Sequence, residues 1–119
     1  MNAWLRKFSV AFAGLLKAIR TQNSFWVHVP IAIAVVCVGA TLRIEAWRWC
    51  VLVIAIAIVI AAELMNTSVE ILAKKLHPEH DEHIGHALDV AAASVLIVSL
   101  AAVVVGLLAL GHPLWKLML

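Results

Sequence analysis

Over residues 1–22 the apolar positions Trp4, Leu5, Phe8, Phe12, Leu15, Leu16 and Ile19 recur at helical spacing. Arg6, Lys7, Lys17 and Arg20 supply a basic face. A basic amphipathic helix of this kind lies flat in a membrane interface, and that is the expectation for this segment. A secretory signal peptide is the rival reading, because Ala11-Phe12-Ala13 mimics a cleavage site. The apolar stretch before that site is too short for one, and Lys17 and Arg20 follow too closely.

Further along, the polar face disappears. Residues 26–42, 48–73 and 87–110 read as three spans of the length a bilayer requires. Asn23 or Ser24 is placed to cap the first span, and Pro30 sits near its start, where a missing N–H costs least. The turn from Thr41 to Arg48 carries Trp47, with Trp49 just beyond it, and both read as interface anchors. No charged residue occurs from Cys50 to Ala62, and the helical pattern then continues through Glu63, Asn66 and Glu70 into water near Lys74. Residues 74–86 read as a polar loop broken by Pro78 and Gly85. Asp89 is the sole charge of the third span, and Gly111 and Pro113 are expected to close it.

Composition narrows the class. Apolar types make up 65% of the chain and charged types 13%, with a mean hydropathy of +1.04. Soluble domains run at ~45–50% and ~25%, so a water-soluble globular domain is excluded, and so is a disordered chain. A net charge of +2 gives no argument for nucleic acid. Cys37 and Cys50 make no disulfide framework and read as small lipid-facing hydrophobes. Arg6, Lys7, Lys17, Arg20, Lys74 and Lys75 outnumber Arg43, Arg48 and Lys116, which predicts that the N-terminus and the 74–86 loop are cytoplasmic.

Three carboxylates need explaining. At a helix centre each of Glu63, Glu70 and Asp89 would cost ~2.5–3.5 kcal/mol. Glu63 lies ~24 Å along its helix from Trp47, so it falls near the cytoplasmic edge. On a helical projection Asn66 is about 60° from Glu63 and Glu70 about 20°, and Lys74 shares the stripe. The result is a polar ridge of Glu63, Asn66, Glu70 and Lys74. The returning helix is expected to set Asp89 opposite it, with His86 one turn before. Interhelical hydrogen-bonding glue is the bland explanation. Clustered acids repel one another, however, and a divalent cation or a general base explains them better. Mg²⁺ takes a few carboxylates together with substrate phosphates.

The run Glu63-Leu64-Met65-Asn66-Thr67-Ser68-Val69-Glu70, then Glu79, then Ala87-Leu88-Asp89-Val90-Ala91-Ala92-Ala93-Ser94-Val95-Leu96 resembles the prokaryotic diacylglycerol kinase family, which includes undecaprenol kinases. The likeness extends to the N-terminal helix and to the Phe25–His28 start of the first span. The resemblance implies a homotrimer of three-span subunits in a bacterial cytoplasmic membrane, phosphorylating a lipid hydroxyl with ATP and Mg²⁺. It implies Glu63 as general base, Asn66 as a positioning residue, Glu70 as a metal ligand, and Glu79 and Asp89 facing the nucleotide. Two positions depart from the family pattern. Gln22 stands where the family has a second metal-binding Glu, and Leu88 where it has a phosphate-facing Lys.

Two other classes compete. His77, His80, His83 and His86 recur with Glu79, Asp81 and Glu82, a composition that binds transition metals; a solvated, pH-sensitive loop is the plainer account. A purely structural, holin-like assembly leaves the ridge unexplained. Ser94 and Ser99 read as packing residues between close helices. The combined expectation is an all-α integral membrane lipid kinase with an N-terminal surface helix and three spans, with diacylglycerol preferred over undecaprenol as substrate.

Overall fold

The computed structural model describes residues 2–119, and all the regular structure among them is helical: α1 (Ala3–Thr21), α2 (Phe25–Leu42), α3 (Ala46–Leu76) and α4 (Glu82–Met118). α2, α3 and α4 are each long and apolar enough to cross a membrane. α3 extends about 46 Å and α4 about 55 Å at 1.5 Å per residue, so both outrun a ~30 Å hydrocarbon core.

Local chemistry sets each boundary. The Asn2 carboxamide accepts the Trp4 N–H at 2.9 Å and opens α1, whose residues are all at least partly exposed. The chain turns at the extended Gln22 and re-enters a helix at Phe25. Ser24 occupies the capping position but its side chain makes no capping bond, and Asn23 makes none either. Backbone turns serve instead, from Phe25 N to Gln22 O and from Trp26 N to Asn23 O. α2 ends at Arg43, a left-handed residue (φ 52°) whose N–H returns to Ala40 O. Gly39 makes this end possible, because a Cβ there would lie 3.0 Å from the Trp49 ring and 3.2 Å from Ile44 Cδ1. Trp49 is accordingly a packing residue on the Ile44–Leu52–Ala109–Leu110 core rather than the interface anchor expected of it, whereas Trp47 is exposed.

Two expected boundaries move. The loop after α3 is confined to residues 77–81, because the Asp81 carboxylate accepts the N–H groups of His83 (2.9 Å) and Ile84 (3.0 Å) and starts α4 at Glu82. Gly85 lies inside that helix, where glycine costs only ~1 kcal/mol. At the other end α4 runs through Gly111 and Pro113 to Met118. Pro113 has no N–H for the Ala109 carbonyl, and the buried Arg48 guanidinium supplies the donor instead, at 2.8 Å.

The core cluster of Ile44, Leu52, Ala109 and Leu110 sits at the Arg48 end of the bundle, with Val35, Leu42 and Trp49 packed on it. α3 and α4 form the main antiparallel pair, and α2 packs more loosely on both. Only 28% of the most apolar stretch of α3 and 11% of those of α2 and α4 are buried within the chain. The remaining apolar surface therefore faces lipid or other copies. Cys37 and Cys50 are free and exposed on that outer surface.

Candidate active site

The buried stripe of α3 is Arg48, Leu52, Val59, Glu63, Asn66 and Thr67. Its middle is apolar, and its C-terminal end becomes polar within one turn. Glu63 is 4% exposed, Asn66 8% and Thr67 4%. Glu70 is half-buried and Lys74 exposed. The ridge thus climbs from the interior to water along one face.

Two contacts organise the ridge. His28 Nε2 on α2 lies 3.4 Å from Glu63 Oε2. Asn66 Nδ2 donates to Glu70 Oε1 at 3.2 Å, which leaves Asn66 Oδ1 buried with no partner. An orphaned buried carbonyl oxygen costs about 1–3 kcal/mol. Together with the adjacent Glu70 carboxylate it makes a pair of hard oxygen donors of the kind Mg²⁺ takes. His28 also lines an apolar groove of about 420 Å³ between α2, α3 and α4, bordered by Ile31, Val35, Val59, Ser99 and Leu110.

The other predicted residues are placed differently. Asp89 and Glu79 are exposed and make no ion pair among the described residues. Asp89 is expected on the helix opposite the ridge, and α4 does return alongside α3. Asp89 is exposed on the second turn of α4, the helix that Asp81 caps. Leu88 is half-buried beside it. Gln22 is half-buried at the α1–α2 turn, its backbone N–H on Ala18 O. Among the described residues no three His, Cys, Asp or Glu side chains gather to hold a metal ion, and this includes the His77–His86 segment. There His77 Nδ1 contacts Glu79 O at 2.9 Å. Hydrogen bonds from the backbone N–H groups of Ile84 and His83, with the nearby histidines, hold the Asp81 carboxyl below the usual carboxylate range.

The motif reading overlooked His28 and Thr67. Thr67 is one turn past Glu63 on the buried stripe, so its spacing carried the signal. His28 is the one titratable side chain in the α2 span apart from Cys37, and an isolated imidazole in an apolar span is itself a pointer.

These features define an integral membrane protein with an acid–amide–acid ridge on α3, buried at Glu63 and Asn66, and an apolar groove beside it. The chain belongs to the prokaryotic diacylglycerol kinase family, whose sequence profile matches residues 9–110, and is a lipid kinase. It is 35% identical to a Synechocystis sp. protein named diacylglycerol kinase, over 98% of this chain and 71% of that one. It is 26% identical to the undecaprenol kinase of Bacillus subtilis, over 91% of this chain and 88% of that one.

Proposed function

We propose that the protein transfers the γ-phosphoryl group of ATP to the hydroxyl of diacylglycerol. The observation that carries this reading is the buried Glu63 carboxylate, one turn from an Asn66–Glu70 pair whose amide oxygen is unpartnered. Glu63 takes the hydroxyl proton as the lipid oxygen bonds to the γ-phosphorus. The bond from that phosphorus to the bridging oxygen breaks, and ADP leaves with the oxygen. Phosphoryl transfer asks mainly for positioning and charge neutralisation, so a ridge of few residues suffices.

Mg²⁺, when bound, neutralises phosphate charge. Glu70, Asn66 Oδ1 and Gln22 are the residues that would hold it, hard oxygen donors of the kind this cation takes. The groove beside His28 gives an alkyl chain an apolar bed with its hydroxyl end toward Glu63. α1 lies in the interface through its apolar stripe, and the N-terminus faces the cytoplasm of a bacterial inner membrane. The chain assembles as a homotrimer. The exposed spans need covering, and the exposed Asp89, with Glu79, reaches a nucleotide at the ridge of a neighbouring copy.

Undecaprenol is the second reading, favoured by the fuller length match to the Bacillus subtilis relative. Purified protein in lipid nanodiscs, given labelled ATP with either lipid alcohol and with or without Mg²⁺, decides among these readings. Label on diacylglycerol only in the presence of Mg²⁺ is expected. Label on undecaprenol alone selects the second reading, and label on neither removes both.

A further inference from the structure

We propose that His28 is the positioning residue for Glu63, fixing one carboxylate oxygen so that the other is presented to the lipid hydroxyl. The inference rests on the kinase reading above and adds a residue from a different helix to it. His28 Nε2 stands 3.4 Å from Glu63 Oε2, with side-chain exposures of 22% and 5%. Among the described residues Glu63 has no other ion-pair or hydrogen-bond partner, so Oε1 is open. A carboxylate this deeply buried is costly unless it is paired, and the imidazole N–H is the donor within reach.

The placement of the ring is built into α2. Phe25, 1% exposed, pins the first turn of the helix. The His28 N–H closes on Ser24 O at 3.2 Å. His28 is one turn past Phe25, so anchoring the phenyl ring turns the imidazole toward α3. The same imidazole borders the apolar groove, which sets it between the lipid chain and the base. A separation of 3.4 Å exceeds the ~2.9 Å of a formed N–H···O bond. Catalytic hydrogen bonds are commonly long before substrate arrives and tighten in the complex.

The chemistry balances without a change at the imidazole. Nε2–H donates to Oε2 throughout. The hydroxyl O–H bond breaks and its proton passes to Oε1 while the oxygen–phosphorus bond forms and ADP departs. His28 touches the base and not the reacting atoms, so its contribution is orientation. Misplacing a reacting group by about 1 Å costs on the order of 100-fold in rate.

The test compares His28→Leu with His28→Gln in nanodiscs, measuring kcat, KM for lipid and nucleotide, and the melting temperature. Gln carries an N–H₂ donor at about the distance of Nε2, and Leu fills the space without one. His28→Leu is expected to lower kcat about 100-fold with both KM values close to the wild type, and to lower the melting temperature because the buried Glu63 carboxylate loses its partner. His28→Gln is expected to keep most of the rate. Full activity in His28→Leu, or equal losses in the two variants, overturns the inference while leaving the kinase reading standing. Wild-type protein that phosphorylates neither lipid alcohol removes the kinase reading, and this inference with it.

Discussion

Arg48 Nη1 donates to the Ala109 carbonyl at 2.8 Å, the acceptor that Pro113 leaves without its helical partner. The guanidinium also reaches Leu108 O at 3.4 Å and Glu45 Oε1 at 3.3 Å, and lies 4.4 Å from the Trp47 ring centroid. A charged side chain on α3 thus repairs a break in the hydrogen-bond ladder of α4, sixty-one residues away. Arg48→Met should destabilise the protein by about 1–3 kcal/mol, the cost of an unpaired buried carbonyl. Pro113→Ala restores an N–H to that carbonyl, so the second substitution should recover most of the loss in the Arg48→Met background. Denaturant unfolding of the single and double variants in one detergent measures the coupling. Additive losses would show that Arg48 acts through some other contact.

Glu63→Gln keeps the shape of the side chain and removes its capacity to take a proton. Phosphoryl transfer should fall by at least about 100-fold, within the range general-base removal produces. The melting temperature and oligomer size should stay near the wild type, because Gln still offers an oxygen to His28. Retained turnover would free Glu63 of the base role and assign the ridge to helix packing.

The helices were legible because their periodicity is strong: the α1 stripe, three apolar runs, and the Glu63–Asn66–Glu70 angles all follow from residue spacing. What depended on tertiary contact was not. The rotation of α2 that aims His28 at Glu63 follows from the burial of Phe25, which no local pattern states. Gly85 and Pro113 read as helix breakers on propensity alone. The Asp81 cap starts a helix across Gly85, and the Arg48 donor carries one through Pro113. Asp89 illustrates the limit of projecting one helix onto another. Its distance in sequence from the ridge is known, but its exposure depends on how α4 packs against the other helices, which spacing does not state.

Asp81 gives a pH dependence with a definite sign. Its carboxyl is held below the usual value first by the Ile84 N–H and then by the His83 N–H, with burial opposing and nearby His77 and His80 assisting. A lowered native pKa means that the carboxylate contributes stability above its unfolded pKa, near 3.8. That contribution disappears as pH falls through the lowered native value. At pH 7 the first turn of α4 should be protected, and Asp81→Ala should speed amide exchange at His83 and Ile84. Once pH has fallen through the lowered native value, the variant and the wild type should exchange alike. Equal exchange at pH 7 would remove Asp81 as the cap.

Glu70 and Gln22 make the metal reading quantitative. If Glu70 and the unpartnered Asn66 oxygen hold Mg²⁺, Glu70→Gln removes a formal charge from the coordination shell and should raise the half-saturating Mg²⁺ concentration. If Gln22 also reaches the cation, it supplies an amide oxygen where a carboxylate would bind more tightly. Gln22→Glu should therefore shift the same titration to lower Mg²⁺. An added charge near a partly hydrated cation contributes about 1 kcal/mol or more, which corresponds to roughly a fivefold change in affinity. Titrating the transfer rate against Mg²⁺ at saturating nucleotide, and repeating it by direct Mn²⁺ binding to the protein, separates metal affinity from turnover. Opposite shifts in the two variants would place both side chains at one cation. A shift in Glu70→Gln alone would leave Gln22 outside the coordination shell. Unchanged midpoints in both variants would move the metal off this ridge altogether.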